Sequence, residues 1–214
     1  MNIPMFEDKG HEATGFQFDL SPHGVHMKIL KYIDRNKRVL EVGCASGHFS
    51  KKLKEKGCFV VGIEIDPVAA KLARKIADDV IIGDVEEISL LPYPEGSFDI
   101  IIFADVLEHL RRPDKVIKEF KRWLSPPGYV IASIPNAVRI EFRLKYLMGK
   151  FEYGRGLGQH PVTHLRFFTL ETSRRLFEEA GYKIIKIEPT GLGSRLKILY
   201  NLFSWSFIII AKPA

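Results

Sequence analysis

The segment Val39-Leu40-Glu41-Val42-Gly43-Cys44-Ala45-Ser46-Gly47-His48-Phe49 joins an apolar run to an amphipathic one through a turn of small residues, with a carboxylate near the end of the run. A buried strand that feeds a helix in this way is the opening unit of a parallel α/β sheet with a nucleotide-type site at its edge. Small residues at 43, 45 and 47 let the backbone approach a ligand and take turn conformations that larger side chains resist. The ligand then lies against free N–H groups at the start of the next helix. The same glycines would also serve a plain strand–helix connection, so the rest of the chain has to decide between the two.

It does so by spacing. Phe59-Val60-Val61-Gly62-Ile63-Glu64-Ile65 reads as a second buried strand and ends in an acid 23 positions after Glu41, where a carboxylate can accept both hydroxyls of a ribose. Apolar runs at 38–43, 59–65, 79–83, 98–105 and 128–134 read as strands, and 47–56, 67–77, 114–124 and 170–180 as helices. Such alternation implies a doubly wound α/β sheet with crossover helices on both faces. Asp66-Pro67 supplies an N-cap and first-turn proline, Gly57 and Gly181 stand where helices should stop, and Thr169 opens another helix. The last strands are expected at Tyr182–Pro189 and Ser206–Lys212. Residues 1–37 precede the first strand and are expected as a helical cap, and 136–168 break the alternation as an insertion after the fifth strand, over the ligand crevice. The whole chain, 1–214, is expected to form a single domain.

The turn discriminates between cofactors. The dinucleotide pattern G-x-G-x-x-G is absent: counting from Gly43, Ala45 holds its second glycine position and His48 its third. Glu41, just before the turn, would repel a pyrophosphate and suits a ligand carrying an ammonium and a sulfonium. S-adenosylmethionine carries both.

With Val-Leu-Glu-Val-Gly-Cys-Ala-Ser-Gly stand Gly-Ile-Glu-Ile-Asp-Pro, Gly-Asp-Val-Glu, Phe-Asp-Ile-Ile-Ile-Phe-Ala-Asp-Val-Leu-Glu-His-Leu and Leu-Ser-Pro-Pro-Gly-Tyr-Val-Ile-Ala-Ser-Ile-Pro-Asn. Together, over nearly the whole chain, they resemble the class I S-adenosylmethionine-dependent methyltransferases. Thr163-His164-Leu165-Arg166-Phe167-Phe168-Thr169 is similar to the branch of ubiquinone-type and glycan-tailoring small-molecule O-methyltransferases. The resemblance implies a Rossmann-like, mostly parallel seven-stranded sheet with an antiparallel edge strand. It also implies that Glu41 and the backbone of Gly43, Cys44 and Ala45 hold the methionine part of S-adenosyl-L-methionine, with Gly47 admitting the ligand. Glu64 then takes the ribose and Ile65 packs on the adenine. Asp84 accepts the adenine amino group, the N–H of Val85 reaches the ring, and the backbone at Ala104 lines the methionine pocket. Ala45 departs from the glycine many members carry there.

Glu108 and His109 are expected to face the reacting methyl. Methyl transfer from a sulfonium mainly requires alignment, with a base only for a protonated acceptor. His109 is the first candidate base because an imidazole titrates near neutrality, with His160 and His164 as rivals. No metal-ligand spacing is evident: two cysteines, Cys44 and Cys58, make no zinc pattern, and a magnesium site of the catechol type lacks its Asp–Asn pair.

Formal net charge is +6, and the stretch 136–166 holds Arg139, Arg143, Lys145, Lys150, Arg155 and Arg166 against Glu141 and Glu152. That excess over the acceptor mouth points to an anionic metabolite, glycan or lipid-linked precursor. Basic and aromatic residues together leave an RNA methyltransferase as an alternative, and a non-catalytic S-adenosylmethionine-binding regulator as another. With no cationic segment leading into an apolar stretch at the start and no run long enough to span a bilayer, the expected location is the cytoplasm. The sequence does not fix the oligomeric state.

Overall fold

The structure is a computed structural model and describes residues 24–151, 163–194 and 199–214. The first strand, β1 (Arg38–Val42), is followed by α2 (His48–Glu55), β2 (Phe59–Glu64), α3 (Pro67–Ala73), β3 (Asp79–Ile82) and β4 (Phe98–Ala104), with a short helix α1 (Val25–Leu30) ahead of them. Then come α4 (Pro113–Phe120), β5 (Leu124–Pro135), α5 (Ile140–Leu147), α6 (Leu170–Glu179), β6 (Tyr182–Pro189), α7 (Tyr200–Phe203) and β7 (Ser206–Pro213).

These strands form one seven-stranded sheet in the order β3-β2-β1-β4-β5-β7-β6. Strands β1 to β5 are parallel, and β7 runs antiparallel to both β5 and β6. Strand order reverses between β1 and β4, which opens a crevice at their carboxyl ends.

The sheet is buried on both faces, which is why its strands read as continuous apolar runs rather than alternating ones. Leu40, Val42, Ile101 and Phe103 point into a core with Phe120, Trp123 and Phe177. Val39, Ile100 and Ile102 point to the opposite core with Ile29, Phe49 and Leu53. Asp66 caps α3 by accepting the Val68 N–H at 2.8 Å, and Thr169 and Thr172 make a reciprocal cap on α6.

Helices α3 and α4 end at Ala73 and Phe120, short of the expected 77 and 124, and the strand after them also departs from the sequence reading. Strand β5 starts at Leu124 rather than 128: Leu124 pairs with Phe98, and the ladder shifts register before Tyr129 resumes opposite Ile100. The Pro126–Pro127 stretch, which cannot donate to a ladder, spans that irregularity. The insertion carries a helix, α5, with no buried residue. Of the expected N-terminal cap, α1 lies among the described residues and its Lys28 ammonium reaches Glu188 at 3.3 Å. No helix among the described residues is long and apolar enough to cross a membrane.

Candidate functional site

At the carboxyl ends of β1, β2 and β4 lies a cavity of about 480 Å³, and the glycine-rich turn forms its floor. The turn bends back because three residues take left-handed backbone conformations: Gly43 (φ 71°), Ala45 (φ 46°) and Gly47 (φ 83°). A side chain at Gly43 would meet Val106 Cγ2 at 2.6 Å, so the loop after β4 closes directly on the turn. Gly62 in β2 is equally constrained, since a Cβ there would lie 2.5 Å from Cys44 Sγ.

Glu64, at the end of β2, fastens the turn. Its two carboxylate oxygens accept the N–H of Ala45 at 2.8 Å and of Asp66 at 2.9 Å. Each oxygen retains acceptor capacity for a ligand hydroxyl. Asp84 is likewise half engaged, with one oxygen accepting the Glu86 N–H at 2.9 Å.

Glu41 is buried and accepts a 2.5 Å hydrogen bond from Ser50 Oγ in α2. Loss of hydration raises its carboxyl to about 8, against the opposing hydrogen bond from Ser50 and with help from the nearby Glu64 charge. Burial also raises the Cys44 thiol well above its usual range, so that sulfur is an inert packing atom.

The structure brings Glu41, Gly43, Cys44, Ala45, Glu64, Ile65, Asp84, Val85, Ala104 and His109 to the wall of this one cavity. It does not bring Gly47 there. A Cβ at Gly47 would fall 3.0 Å from the Ala73 backbone, so this glycine lets the start of α2 approach α3 closely. The sequence reading missed His48, Phe49, Glu86 and Arg111, which also line the cavity. Position alone gave a signal for His48 and Phe49, which open the helix after the turn. His160 lies outside the described residues.

His109 closes a single helical turn, Leu107–His109, after β4. Its Nδ1 lies 2.9 Å from the Thr163 carbonyl oxygen. A carbonyl can only accept, so Nδ1 carries the hydrogen and Nε2 is the basic nitrogen. The His164 ring packs edge-on against His109 with centroids 4.8 Å apart.

Beneath them, Glu108 is buried and neither of its carboxylate oxygens has a hydrogen-bond partner. Burial, followed by the Asp105 charge, pushes its pKa well above the usual carboxylate range. Its backbone carbonyl accepts the N–H of Leu165 and of Arg166, which ties the 163–167 segment over the site. One donor atom from each of Glu108, His109 and His164 lies within 4.8 Å of the others, a group able to hold a metal ion. The spacing did not disclose it because His164 comes from the far side of the insertion.

A family model described as a methyltransferase domain matches residues 18–187. A ubiquinone biosynthesis O-methyltransferase of Nitrosococcus oceani is 31% identical over 144 residues, covering 63% of this chain and 61% of that protein. A probable S-adenosylmethionine-dependent methyltransferase of Mycolicibacterium smegmatis is 28% identical over 164 residues, covering 76% of this chain and 58% of that protein. The chain thus spans about three fifths of the length of these relatives. Among solved structures, a SAM-dependent methyltransferase from Archaeoglobus fulgidus superposes with a TM-score of 0.66 at 21% identity, covering 87% of this chain and 90% of that one. At that identity the likeness speaks for the fold.

Proposed function

The chain belongs to the S-adenosylmethionine-dependent methyltransferases, and from that premise we propose that it transfers the cofactor's methyl group to an oxygen nucleophile on a small anionic acceptor. The observation that carries this reading is the imidazole pair, His109 and His164, at the open end of an acid-lined cavity. Glu41 and the turn backbone take the methionine ammonium, Glu64 the ribose hydroxyls, and Asp84 with Val85 the adenine edge, while Ile65 covers its face. The acceptor hydroxyl attacks the methyl carbon in line with sulfur. The new O–CH3 bond forms as S–CH3 breaks, the electron pair returns to sulfur to leave neutral S-adenosylhomocysteine, and the hydroxyl proton passes to His109 Nε2. Holding the nucleophile about 3–3.5 Å from the methyl carbon contributes most of the acceleration, and the base adds roughly 10²–10⁴-fold.

The small-molecule oxygen acceptor is favoured by the relative named for ubiquinone biosynthesis. Both cysteines are free thiols, which supports a reducing compartment such as the cytoplasm. The test is transfer of a labelled methyl group from S-adenosylmethionine to a panel of phenolic and sugar acids, their neutral amides, and structured RNA. His109→Ala should lower turnover by roughly 10²-fold or more with cofactor binding unchanged; retention of most turnover would end the base assignment. Turnover that depends on an added divalent cation and stops on chelation would instead assign Glu108, His109 and His164 to metal binding. Methylation of RNA alone would replace the small-molecule acceptor.

A further inference from the structure

A second cavity of about 260 Å³ lies behind the imidazole pair, between the end of β5, the start of α5 and the 163–168 segment. The partition between the two cavities is thin. His109 belongs to the wall of the first and His164 to the wall of the second, and their rings touch edge to face. Along the partition, Leu165 faces the first cavity while His164 and Arg166 face the second.

The two cavities are sorted by charge. The first is lined by Glu41, Glu64, Asp84, Glu86 and Asp105 against Arg111, which suits a cofactor bearing a sulfonium and an ammonium. The second is lined by Arg139 and Arg166, and by no carboxylate among the described residues. Arg139 sits over the Phe142 ring at 4.4 Å. Its buried Nε makes a 2.7 Å ion pair with Glu141 whose alignment falls short of a hydrogen bond, and the rest of its fork of donors is available to a second anion. Arg166 spends one donor on the Arg111 carbonyl, and a guanidinium has five.

The floor is rigid. The Asn136 side chain is buried and donates to the carbonyls of Asn201 and Ser204 at 2.9 and 3.1 Å, and its backbone N–H donates to that of Trp205 at 2.8 Å. Flat apolar groups, Phe142, Phe167 and Trp205, supply the remaining walls. The cavity, about 260 Å³ and partly open to solvent, has room for one substituted ring.

We propose that this second cavity is the acceptor's anchoring compartment, and that it takes a compact aromatic ring carrying a carboxylate or phosphate, held by Arg139 and Arg166, with its nucleophile directed past His164 and His109 to the methyl group. The inference rests on the methyltransferase reading above. It adds the ligand class and the residues that select it.

The test uses the intact chain saturated with S-adenosylhomocysteine and three probes: benzoate, phenyl phosphate and the neutral isostere benzamide. Of the chain's two tryptophans, Trp123 is buried in the core and Trp205 lies on the wall of the second cavity, so indole fluorescence reports its occupancy. At least one anion should shift the emission with saturation below about 10 mM, and benzamide should bind about tenfold more weakly, the scale of one charge-assisted hydrogen bond. Arg139→Gln and Arg166→Gln should each weaken the anion by a similar factor while S-adenosylhomocysteine affinity, read by calorimetry, stays within about twofold. Trp205→Phe should abolish the optical signal but not the binding heat. Equal binding of benzamide and benzoate, no anion binding, or anion affinity unchanged in both arginine variants would overturn the proposal. A parent protein that fails to bind S-adenosylhomocysteine would refute the methyltransferase reading beneath it, and the two failures are separately visible.

Discussion

With Glu41 pairing the methionine ammonium, as proposed, the affinity for the sulfur cofactor should be a function of pH. In the free protein its carboxyl is held near 8 by burial, so at pH 7 about one site in ten is ionised and at pH 6 about one in a hundred. Pairing with the methionine ammonium requires the carboxylate. Apparent affinity is therefore the intrinsic affinity multiplied by the ionised fraction. Between pH 6 and 8 that fraction rises about 50-fold, equivalent to about 2.3 kcal/mol. Calorimetric titration with S-adenosylhomocysteine at pH 6, 7 and 8 should show this slope. Repeating the pH 7 titration in two buffers of different ionisation enthalpy should show release of close to one proton per site. Glu41→Gln should bind more weakly at pH 8 and lose both the slope and the proton. The same shift has a stability consequence of opposite sense. Because the folded value of about 8 lies above the ordinary value of 4.5 that the unfolded chain would have, the native state binds the extra proton. Stability of the ligand-free protein then falls as pH rises through 4.5 to 8, by up to about 5 kcal/mol, and is level above that window. Thermal unfolding of Glu41→Gln should be less dependent on pH there. An affinity that changes less than about threefold from pH 6 to 8, with no proton released, would refute the argument.

Other positions in the turn make independent predictions. Glu64→Gln leaves one carbonyl oxygen where two oxygens now hold the Ala45 and Asp66 N–H groups; it should lower cofactor affinity about ten- to a hundredfold and lower the melting temperature as well, and unchanged affinity by calorimetry would remove Glu64 from the site. Ala45, at φ 46°, pays a left-handed conformational cost of about 1–2 kcal/mol, so Ala45→Gly should be neutral to about 1 kcal/mol more stable by denaturant unfolding after the unfolded-state entropy of glycine is counted. Gly62→Val would drive a side chain into Cys44 Sγ and should cost about 1–3 kcal/mol while weakening cofactor binding, checked by the same two measurements.

The sheet and the first cavity were legible because both depend on local pattern. Strands buried on two faces must be apolar throughout, and β1, β2 and β4 met that condition within a residue of their expected ends. An acid at a strand end followed by small residues is likewise a local signal, and Glu41 and Glu64 arrive where the backbone carries them. Features that depend on contacts between distant segments were not legible. The close approach of α3 to Gly47 has no signal in the sequence around either of them. The start of β5 at Leu124, ahead of the expected 128, depends on its pairing with Phe98 and on the register shift before Tyr129. Glu108 reads as an acid facing the methyl group, and nothing in the sequence announces that its carboxyl is buried or that residues 165 and 166, far along the chain, bond to its backbone carbonyl.

The charge argument shows the same division. A formal +6 over the whole chain and an arginine-rich insertion indicated an anionic ligand without locating it. Folding separates the charges instead of averaging them: the carboxylates at the ends of β1 and β2, in the loops after β3 and at the end of β4 collect in one cavity, and Arg139 and Arg166, brought together from either side of the insertion, collect in the next. On the proposed reading, two substrates of opposite charge meet at the same imidazole pair from opposite sides. Exchange of their places would put a sulfonium against guanidinium groups and an anion against carboxylates, so the charge separation between the cavities favours the proposed assignment of each ligand to its cavity.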